Sequence, residues 1–449
     1  MNALPSRVAL SSLLLVPSLF AAEFIPLGDL PGGMFFSRFY SVSADGTTVV
    51  GESQSASGLE AVRWRADTGL VSLGELPGGP VSGGAVAVSA DGSVVVGSSL
   101  TTLGREVFRW TAADGLVNLG DLPGGTVSGF GTGITPDGDI IVGTGNSELG
   151  SEGYRWTAAT GMVPLGAISG GRVRSSAQRV SDDGSVIVGA ITLPGSQEAY
   201  RWTEAGGFEV LGELPGGPVF GVALAVSPEG AAVAGWSYTG PNLSTDIEAM
   251  LWTRERGLIG LGTAPGTETS VAWGVTGSGF IVAGSGGFLE DPGWVWDAHQ
   301  GMRLIQDVAA PHVGAALAGW QIEAVRGVRH TGSVFSFVGH GLNPDGHREG
   351  WLLRLTPQEL GLEPARLAED LLAELDQLVT HGGTAQSLAA RLAAFIDLLD
   401  DGQPANDPAA AALLESFIRT VERERGDRIE EEAAVTLIAA ATNLLALLE

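Results

Sequence analysis

A loop in the C-terminal half of the sequence carries two histidines and one aspartate close together. It reads His340-Gly-Leu-Asn-Pro-Asp345-Gly-His347. Imidazole nitrogens and carboxylate oxygens are common ligands of divalent transition metals. We therefore predict His340, Asp345 and His347 as a candidate metal site. The alternative is that the loop belongs to a degenerate final copy of a repeat and has drifted without acquiring a ligand.

An extended segment, residues 305–327, contains the candidate ligand-binding residues. It is longer than the corresponding segment near the N-terminus: Leu304 and Val328 are 24 residues apart, whereas the equivalent Leu27 and Val42 are 15 apart. The added chain includes His312, Trp320 and Gln321. An exposed tryptophan can stack on a sugar or anchor a peptide, and long loops on rigid scaffolds commonly carry recognition. We predict these three residues as a ligand-binding site; the alternative is a segment that only completes an irregular repeat.

Two residue types recur at fixed spacing and are more simply structural. An acidic residue recurs in an Asp-Gly or Glu-Gly pair, where a ring of calcium ligands is conceivable. Calcium needs six to eight oxygen ligands, so one carboxylate per copy favours a turn residue instead. An arginine recurs before a tryptophan and favours contacts between neighbouring repeats. The acidic set is Asp45, Asp91, Asp137, Asp183 and Glu229, and the basic set is Arg63, Arg109, Arg155 and Arg201.

Composition excludes several kinds of chemistry. The chain of 449 residues has no cysteine, so disulfides, thiolate catalysis and Cys-ligated metals are excluded. Its net charge is -27, with 51 acidic residues against 24 basic ones, which argues against binding nucleic acid or anionic lipid. The sequence shows no phosphate-binding loop, nucleophile elbow or zinc-protease motif. We predict no cofactor.

Three motifs repeat in fixed order and predict the architecture. Leu-Gly-Asp/Glu-Leu-Pro-Gly-Gly and its variants recur mostly every 46 residues, together with Val-Ser-x-Asp-Gly and with Glu-x-(aromatic or Val)-Arg-Trp. Asp-Gly between β-branched runs predicts a hairpin turn, and each copy supplies about four strands. Units of this size match propeller blades. The motifs following the first Leu-Gly strand occur seven times, so we predict an all-β, seven-bladed β-propeller over residues 23–355, with residues 24–27 completing the last blade. An open β-solenoid is the alternative.

One copy departs from the regular spacing. The stretch between the recurring Gly and the recurring Glu lengthens from 9 residues to 13 in the fifth copy. The insertion includes Tyr238, Pro241, Asn242 and Asp246. Departures from symmetry are where function is expected on a repetitive scaffold.

Together these motifs resemble the HAF-repeat extracellular proteins of bacteria, over roughly residues 24–355. The position of the family histidine holds glutamate in five copies, and only His347 retains it. This departure argues against a repeated histidine site. The resemblance implies an exported repeat protein and no specific activity.

The C-terminal part changes character. After a predicted linker at 356–363, leucine and alanine recur with helical period over residues 364–449, which predicts a small all-α bundle of four helices. The spacing resembles the FIMAH domain of secreted bacterial proteins, which implies an accessory module. We expect limited proteolysis to cut the linker first.

The first 22 residues are predicted to be a secretory signal peptide. Arg7 precedes an apolar stretch that ends in Ala21 and Ala22. No later segment is apolar enough to be predicted as a transmembrane helix. We expect a secreted or periplasmic protein, with cell-surface association and oligomeric state left open.

Two functions compete at this stage. The preferred one is a non-catalytic binding or surface-interaction scaffold, with a glycan or cell-surface component as its partner. The alternative is a secreted glycan-acting hydrolase or lyase on the same scaffold. Paired carboxylates from non-equivalent repeats would favour the enzyme.

Overall fold

The protein is described from a computed structural model, which covers residues 22–166, 174–277, 279–288, 291–331, 334–365, 368, 371, 372, 375, 379, 382–400 and 407–446. The predicted signal peptide, apart from its last residue, lies outside these ranges. Within them the chain is mostly β, followed by a small helical part.

The strands fall into consecutive groups of four, called units 1 to 7. Unit 1 contains β2 (Gly32–Val42), β3 (Thr48–Ser55), β4 (Leu59–Arg65) and β5 (Gly69–Ser72). Unit 2 contains β6 (Gly83–Val88), β7 (Val94–Leu100), β8 (Arg105–Thr111) and β9 (Gly115–Asn118). Unit 3 contains β10 (Phe130–Ile134), β11 (Ile141–Ser147), β12 (Gly150–Thr157) and β13 (Gly161–Pro164). Unit 4 contains β14 (Ser175–Val180), β15 (Ile187–Leu193), β16 (Ser196–Thr203) and β17 (Gly207–Val210).

The later units depart more from the repeat. Unit 5 contains β18 (Gly221–Val226), β19 (Ala232–Tyr238), β20 (Ile247–Thr253) and β21 (Gly257–Gly260). Unit 6 contains β22 (Val271–Thr276), β23 (Ile281–Ser285), β24 (Gly293–Asp297) and β25 (Gly301–Leu304). Unit 7 contains β26 (Gln321–Thr331), β27 (Val334–Leu342), β28 (Arg348–Leu355) and the N-terminal strand β1 (Glu23–Pro26).

The N-terminal strand completes unit 7. β1 pairs antiparallel with β28, placing Phe24 opposite Leu353 and Pro26 opposite Trp351. The predicted pairing of the two chain ends is therefore confirmed. A single parallel bridge between Phe36 and Arg348 joins units 7 and 1 into one eight-stranded sheet, and units 2 to 6 each form a separate four-stranded antiparallel sheet.

Local sequence explains the shape of each unit. The Asp-Gly pair forms the turn between the first and second strands: Asp91 Oδ1 accepts hydrogen bonds from Ser93 N at 2.9 Å and Ser89 Oγ at 2.8 Å. The recurring glycine of the second strand makes room for the third strand. A Cβ on Gly97 would overlap the carbonyl of Gly84 and the ring of Phe108.

The units follow one another around a common axis. The first strand of each unit contacts the first strand of the next, and β26 of the last unit contacts β2 of the first. We call the edge where the first strands begin and the second strands end the mouth face. The opposite edge, which carries the Asp-Gly turns, is the turn face.

The added chain before unit 7 folds into helix α1 (Ile305–Val313) and a 3-10 turn (Gly314–Leu317). Ile305 and Leu317 are buried in a hydrophobic cluster with the indole of Trp320. The segment is thus part of the core rather than a projecting loop.

Three helices are described near the C-terminus: α2 (Gly382–Asp400), α3 (Asp407–Glu424) and α4 (Glu431–Ala446). Leu371 and Leu375, from the first predicted helix, are also buried; its other two periodic leucines, 367 and 378, lie outside the described residues. No helix in the described part of the chain is long and apolar enough to cross a membrane.

The helical part and the β-units share one hydrophobic core. The same cluster that holds Trp351 continues through Leu360 and Leu362 to Phe395 and Phe417 of the helices. Polar contacts reinforce it, since Arg303 donates to the carbonyl of Leu360 at 3.1 Å. The predicted linker at 356–363 is therefore packed against unit 6 through Leu360, while Gln358, Gly361 and Glu363 within it are exposed. The proteolytic cleavage expected there stays a prediction. The domain boundaries themselves stay a prediction.

Candidate functional site

The predicted ligand residues of the added segment do not form a common surface. His312 and Gln321 are exposed, but Trp320 is only 5% exposed. Its indole makes an edge-to-face contact with Phe24, with ring centroids 5.1 Å apart. The exposed indole assumed in the prediction is wrong, because β1 and the 3-10 turn cover it. The binding role of the three residues stays a prediction.

The predicted metal residues are also separated by burial. His340 is 1% exposed, whereas Asp345 and His347 lie on the exposed turn beyond β27. The His347 ring stacks on Phe35, with centroids 5.1 Å apart. Among the described residues, no group of three or more His, Asp or Glu side chains could hold a metal ion. The structure does not bring this triad together, because the strand pleat turns His340 inward before the chain reverses.

The structural interpretation of the recurring residues holds where contacts are resolved. Hydrogen bonds from the Ser93 backbone and side chain and from Ser89 hold the pKa of Asp91 below its usual value, as expected for a turn residue. Arg63 of unit 1 stacks over the Trp110 ring of unit 2, 4.7 Å from its centroid. This is the predicted contact between neighbouring repeats.

A different set of residues comes together near the axis. In every unit the pairing of the first and second strands skips a residue at one equivalent position of the first strand, and units 1 and 7 each have a second irregularity nearer the start of that strand. Bulges of this kind re-aim a side chain. The skipped residues are Tyr40, Val86, Thr132, Gln178, Leu224, Trp273 and Arg326.

Three of these bulge residues, Tyr40, Trp273 and Arg326, line a cavity of about 70 Å³ on the axis. The rest of its lining comes from the last residues of the first strands, toward the turn face, and includes Arg179, Asp182 and Arg329. They belong to units 1, 6 and 7, which are adjacent because the chain ends meet there. The four remaining bulge residues come from units 2 to 5. The repeat therefore places one variable residue per unit around the axis, and the three neighbouring units 6, 7 and 1 supply the aromatic and charged ones.

A second repeat position supplies the partners. It directly follows the recurring glycine of the second strand and is held by Glu52, Ser98, Thr144, Ala190, Trp236, Ser285 and His340. Glu52 lies opposite Arg38 in the β2–β3 register, and His340 lies opposite Ala324 in the β26–β27 register. Glu52 and His340 thus lie near the bulge residues of units 1 and 7.

Two guanidinium groups define the polarity of this site. Arg326 lies over the Trp273 ring, 4.1 Å from its centroid, and donates to the carbonyl of Phe288 at 3.1 Å. Burial lowers the pKa of Arg326 to about 10, so it remains a cation at neutral pH. Arg38 lies over the Phe36 ring at 4.9 Å. The Nε atom of each arginine is buried and has no hydrogen-bond partner among the described residues.

Between these arginines lies a hydrogen-bonded pair. Tyr40 Oη donates to Glu52 Oε1 at 2.7 Å. Burial raises the pKa of Glu52, although Tyr40 and the nearby arginines Arg38, Arg105 and Arg326 oppose this rise. Burial and the Glu52 charge raise the pKa of Tyr40, so the phenol stays protonated. The site therefore combines the guanidinium groups of Arg38 and Arg326 with one carboxylate, and Arg105 adds a third positive charge nearby.

His340 adds an uncharged imidazole to the same site. Burial, with Arg326, Arg38 and Arg348 nearby, holds its pKa well below the usual value. Its Nδ1 is buried without a hydrogen-bond partner among the described residues. The sequence analysis grouped His340 with Asp345 and His347. In the structure its imidazole lies near the arginines of the mouth face instead.

Sequence reasoning missed Arg38, Tyr40, Glu52, Trp273 and Arg326. A signal was available in the alignment of the repeats on the Val-Ser-x-Asp-Gly motif. The position two residues before that valine changes chemical type in almost every copy, from Tyr40 to Val86 to Thr132. Variation inside a constant motif is a sign that the position carries something other than the fold.

Comparisons with known proteins give no family. No family model and no curated protein matches the sequence. Among solved structures, the chain is similar to TolB from Acinetobacter baumannii, with 14% identity and a TM-score of 0.38, over 72% of this chain and 65% of that one. It is also similar to an oligogalacturonate lyase from Vibrio parahaemolyticus, with 10% identity and a TM-score of 0.43, over 76% and 98% of the two chains. It is similar as well to Trypanosoma rangeli sialidase, with 10% identity and a TM-score of 0.43, over 80% of this chain and 63% of that one. The propeller-like arrangement of the β-units rests on their own sheet order and on the circular contacts between their first strands.

Proposed function

We propose that the protein is an exported, seven-bladed β-propeller that binds an acidic saccharide at its mouth face. The circular contacts between first strands, together with the β1–β28 pairing, support seven blades. The export proposal rests on the apolar N-terminal segment with its small terminal residues. We also propose membership of the HAF-repeat proteins with a FIMAH-like C-terminal module, on the motifs quoted above.

The observation that carries the ligand proposal is the state of Arg38 and Arg326. Neither forms an ion pair with a described residue, and each has a buried Nε without a partner. Leaving a buried cationic donor unsatisfied is costly unless a ligand satisfies it. An anion is the complementary ligand.

The neighbouring groups favour a carboxylate on a sugar ring. A guanidinium binds a planar carboxylate through two parallel hydrogen bonds. Trp273 and Phe36 offer aromatic faces beside the two arginines. Glu52 Oε2 and His340 Nδ1 can accept hydrogen bonds from sugar hydroxyl groups. Acidic monosaccharide units present all three features at once.

The test measures binding of the mature protein to a panel of acidic and neutral sugars by calorimetry. We expect glucuronic, galacturonic or sialic acid to bind and their neutral counterparts not to bind. Arg326→Gln should weaken binding at least about 10-fold, because a charge-assisted pair contributes roughly 1.5–3 kcal/mol. The control is Arg423→Gln, since Arg423 is exposed on helix α3. Binding of neutral and acidic sugars with equal affinity would contradict the proposal.

A second candidate function is hydrolysis or lysis of the bound glycan. The observation that favours it is the Tyr40–Glu52 pair, which places a carboxylate of raised pKa against a phenol. Against it, the charged groups that act on Glu52 in the described structure are arginines, and no second carboxylate is among them. Product analysis after prolonged incubation, with Glu52→Gln as the control, separates the two functions. Products released by the wild type alone would establish the enzyme.

A further inference from the structure

A continuous cluster of partly buried aromatic rings in units 5 and 6 adjoins the arginine site, and it reaches the surface at Phe288. It consists of Phe220, Trp236, Tyr238, Trp273 and Phe288, which we call the aromatic platform. Neighbouring ring centroids lie 5.2 to 6.3 Å apart, from Trp273 to Phe288, then to Trp236, and on to Phe220 and Tyr238. None of the five side chains is charged. Phe288 is 38% exposed, and Trp236 is buried beneath the others.

The platform is a departure from the repeat and not a general feature of the fold. The position of Trp236 is held by Ser98, Thr144 and Ala190 in units 2 to 4. Tyr238 stands at the start of the insertion that lengthens unit 5. Units 2 to 4 form the same four-stranded sheet with small residues at this position. Packing of the sheet therefore does not by itself require so many aromatic rings.

The platform and the arginine site are physically continuous. The Trp273 ring belongs to both, since Arg326 lies over it at 4.1 Å. The Trp273 indole is held by a hydrogen bond from Nε1 to Ser285 Oγ at 2.9 Å. Arg326 also donates to the backbone of Phe288 at 3.1 Å. A ligand anchored by its carboxylate on Arg326 therefore has one uncharged aromatic path leading away from it.

We propose that the aromatic platform is a second sugar subsite, which binds the uncharged pyranose rings attached to an acidic terminal sugar. The inference rests on the proposed function and deepens it, because it makes the ligand an oligosaccharide with one charged end. Pyranose rings have an apolar face of axial C–H groups that packs on aromatic rings. Uncharged rings also match the part of the platform beyond Trp273, from Phe288 to Tyr238, because none of the platform side chains there is charged.

The experiment compares each acidic monosaccharide with a longer ligand that carries the same acid. The two pairs are sialic acid with sialyllactose, and glucuronic acid with aldotetraouronic acid, measured by calorimetry on the full mature chain. We expect the wild type to bind the longer member of one pair roughly 5- to 30-fold more tightly, the ratio that corresponds to a contact of moderate strength.

Tyr238→Ala should reduce this ratio while leaving the affinity for the monosaccharide unchanged, and Phe288→Ala should reduce the ratio as well. The matched control is Phe35→Ala, since Phe35 is 39% exposed on the same face but lies in unit 1. The melting temperature of every variant is measured, so that Tyr238→Ala can replace Phe288→Ala if the latter unfolds.

The outcomes separate this inference from the proposed function. If monosaccharides bind, depend on Arg326, and the longer ligands gain nothing, the subsite is wrong and the acid site stands. If neither member of either pair binds, both proposals are wrong. Equal displacement of the oligosaccharide by a sugar-free aromatic peptide would assign the platform to a protein partner and overturn the sugar subsite.

Discussion

At the scale of single residues, a repetitive scaffold acquires chemistry through very few positions. Tyr40, Trp273 and Arg326 occupy one repeat position, and Glu52 and His340 occupy another. The constant residues around them, such as the turn aspartates and the strand glycines, preserve the backbone. A bulge in the first strand leaves its side chain outside the regular ladder, so this position can vary without loss of sheet pairing.

The turn residues differ in one copy, and this difference predicts a pH effect. Burial raises the pKa of Glu229, with a further rise from Asp182 and an opposing effect of Arg329, and its Oε2 is buried without a hydrogen-bond partner among the described residues. A raised folded-state pKa favours the protonated form. The stability that Glu229 contributes is therefore fully present at pH values below its unfolded-state pKa. It is lost as the pH rises through its folded-state pKa.

We accordingly expect Glu229→Gln to raise the melting temperature at pH 8 and to change it little at pH 4. Thermal unfolding of both proteins at these two pH values measures the difference. The control is Asp91→Asn, for which we expect the opposite pH dependence of the change in melting temperature. The pKa of Asp91 is lowered, so the wild type should exceed its variant at pH 8 and the gap should close as pH falls below the usual aspartate range. A Glu229→Gln effect that is equal at both pH values would contradict this account.

At the scale of elements, the closure of the β-structure depends on pieces far apart in the chain. Phe24 of β1 contacts the rings of Trp320 and Trp351, with centroids 5.1 and 6.1 Å away. The carbonyl and amide groups flanking Trp320 are held by Gln306 of α1, which donates to Trp320 O and accepts from Ile322 N, both at 3.0 Å. The added helical segment thus seals unit 7 and anchors the N-terminal strand.

Trp320→Ala should therefore destabilise the fold by about 3 to 5 kcal/mol, the usual cost of truncating a large buried aromatic side chain. Denaturant unfolding followed by circular dichroism measures the loss. Phe35→Ala is the comparison, because an exposed ring typically contributes within about 0.5 kcal/mol. If Trp320→Ala instead retains full stability and weakens sugar binding, the original ligand-binding role of this residue is restored.

At the scale of the whole molecule, the helices and the β-units are expected to unfold together. Their shared core passes through Leu360 and Leu362, and Thr436 of α4 donates to Glu255 of unit 5 at 3.0 Å. All of the 11 tryptophans precede residue 352, so tryptophan fluorescence reports on the β-units. Circular dichroism at 222 nm is dominated by the helices.

We expect the two signals to give coincident thermal transitions, since two probes coincide when a structure unfolds cooperatively. Leu360→Ala should separate them, with the helical signal lost first, because it opens a cavity where the two parts meet. Loss of the helical signal well below the fluorescence transition in the wild type would instead restore the independent module that the composition change predicted.

The amino-acid sequence by itself determined the features that are local and periodic. The Asp-Gly turns, the strand glycines and the spacing of the motifs predict four strands per repeat, because each depends on contacts within one copy. The pairing of residues 23–26 with β28 also followed from counting motifs, since an unpaired strand at each end of the repeat array has one obvious partner. The helical period near the C-terminus is similarly local.

Only the tertiary structure decided which side chains meet. Arg38 and Arg326 are nearly three hundred residues apart, and they come together because the two ends of the chain close the ring. Residues close in sequence were separated instead: the pleat of β27 buries His340, and the following turn exposes Asp345 and His347. Burial of Trp320 likewise depends on β1, which enters from the opposite end of the chain. Such contacts depend on how the rigid units pack against one another, so they cannot be predicted from the pattern within one repeat.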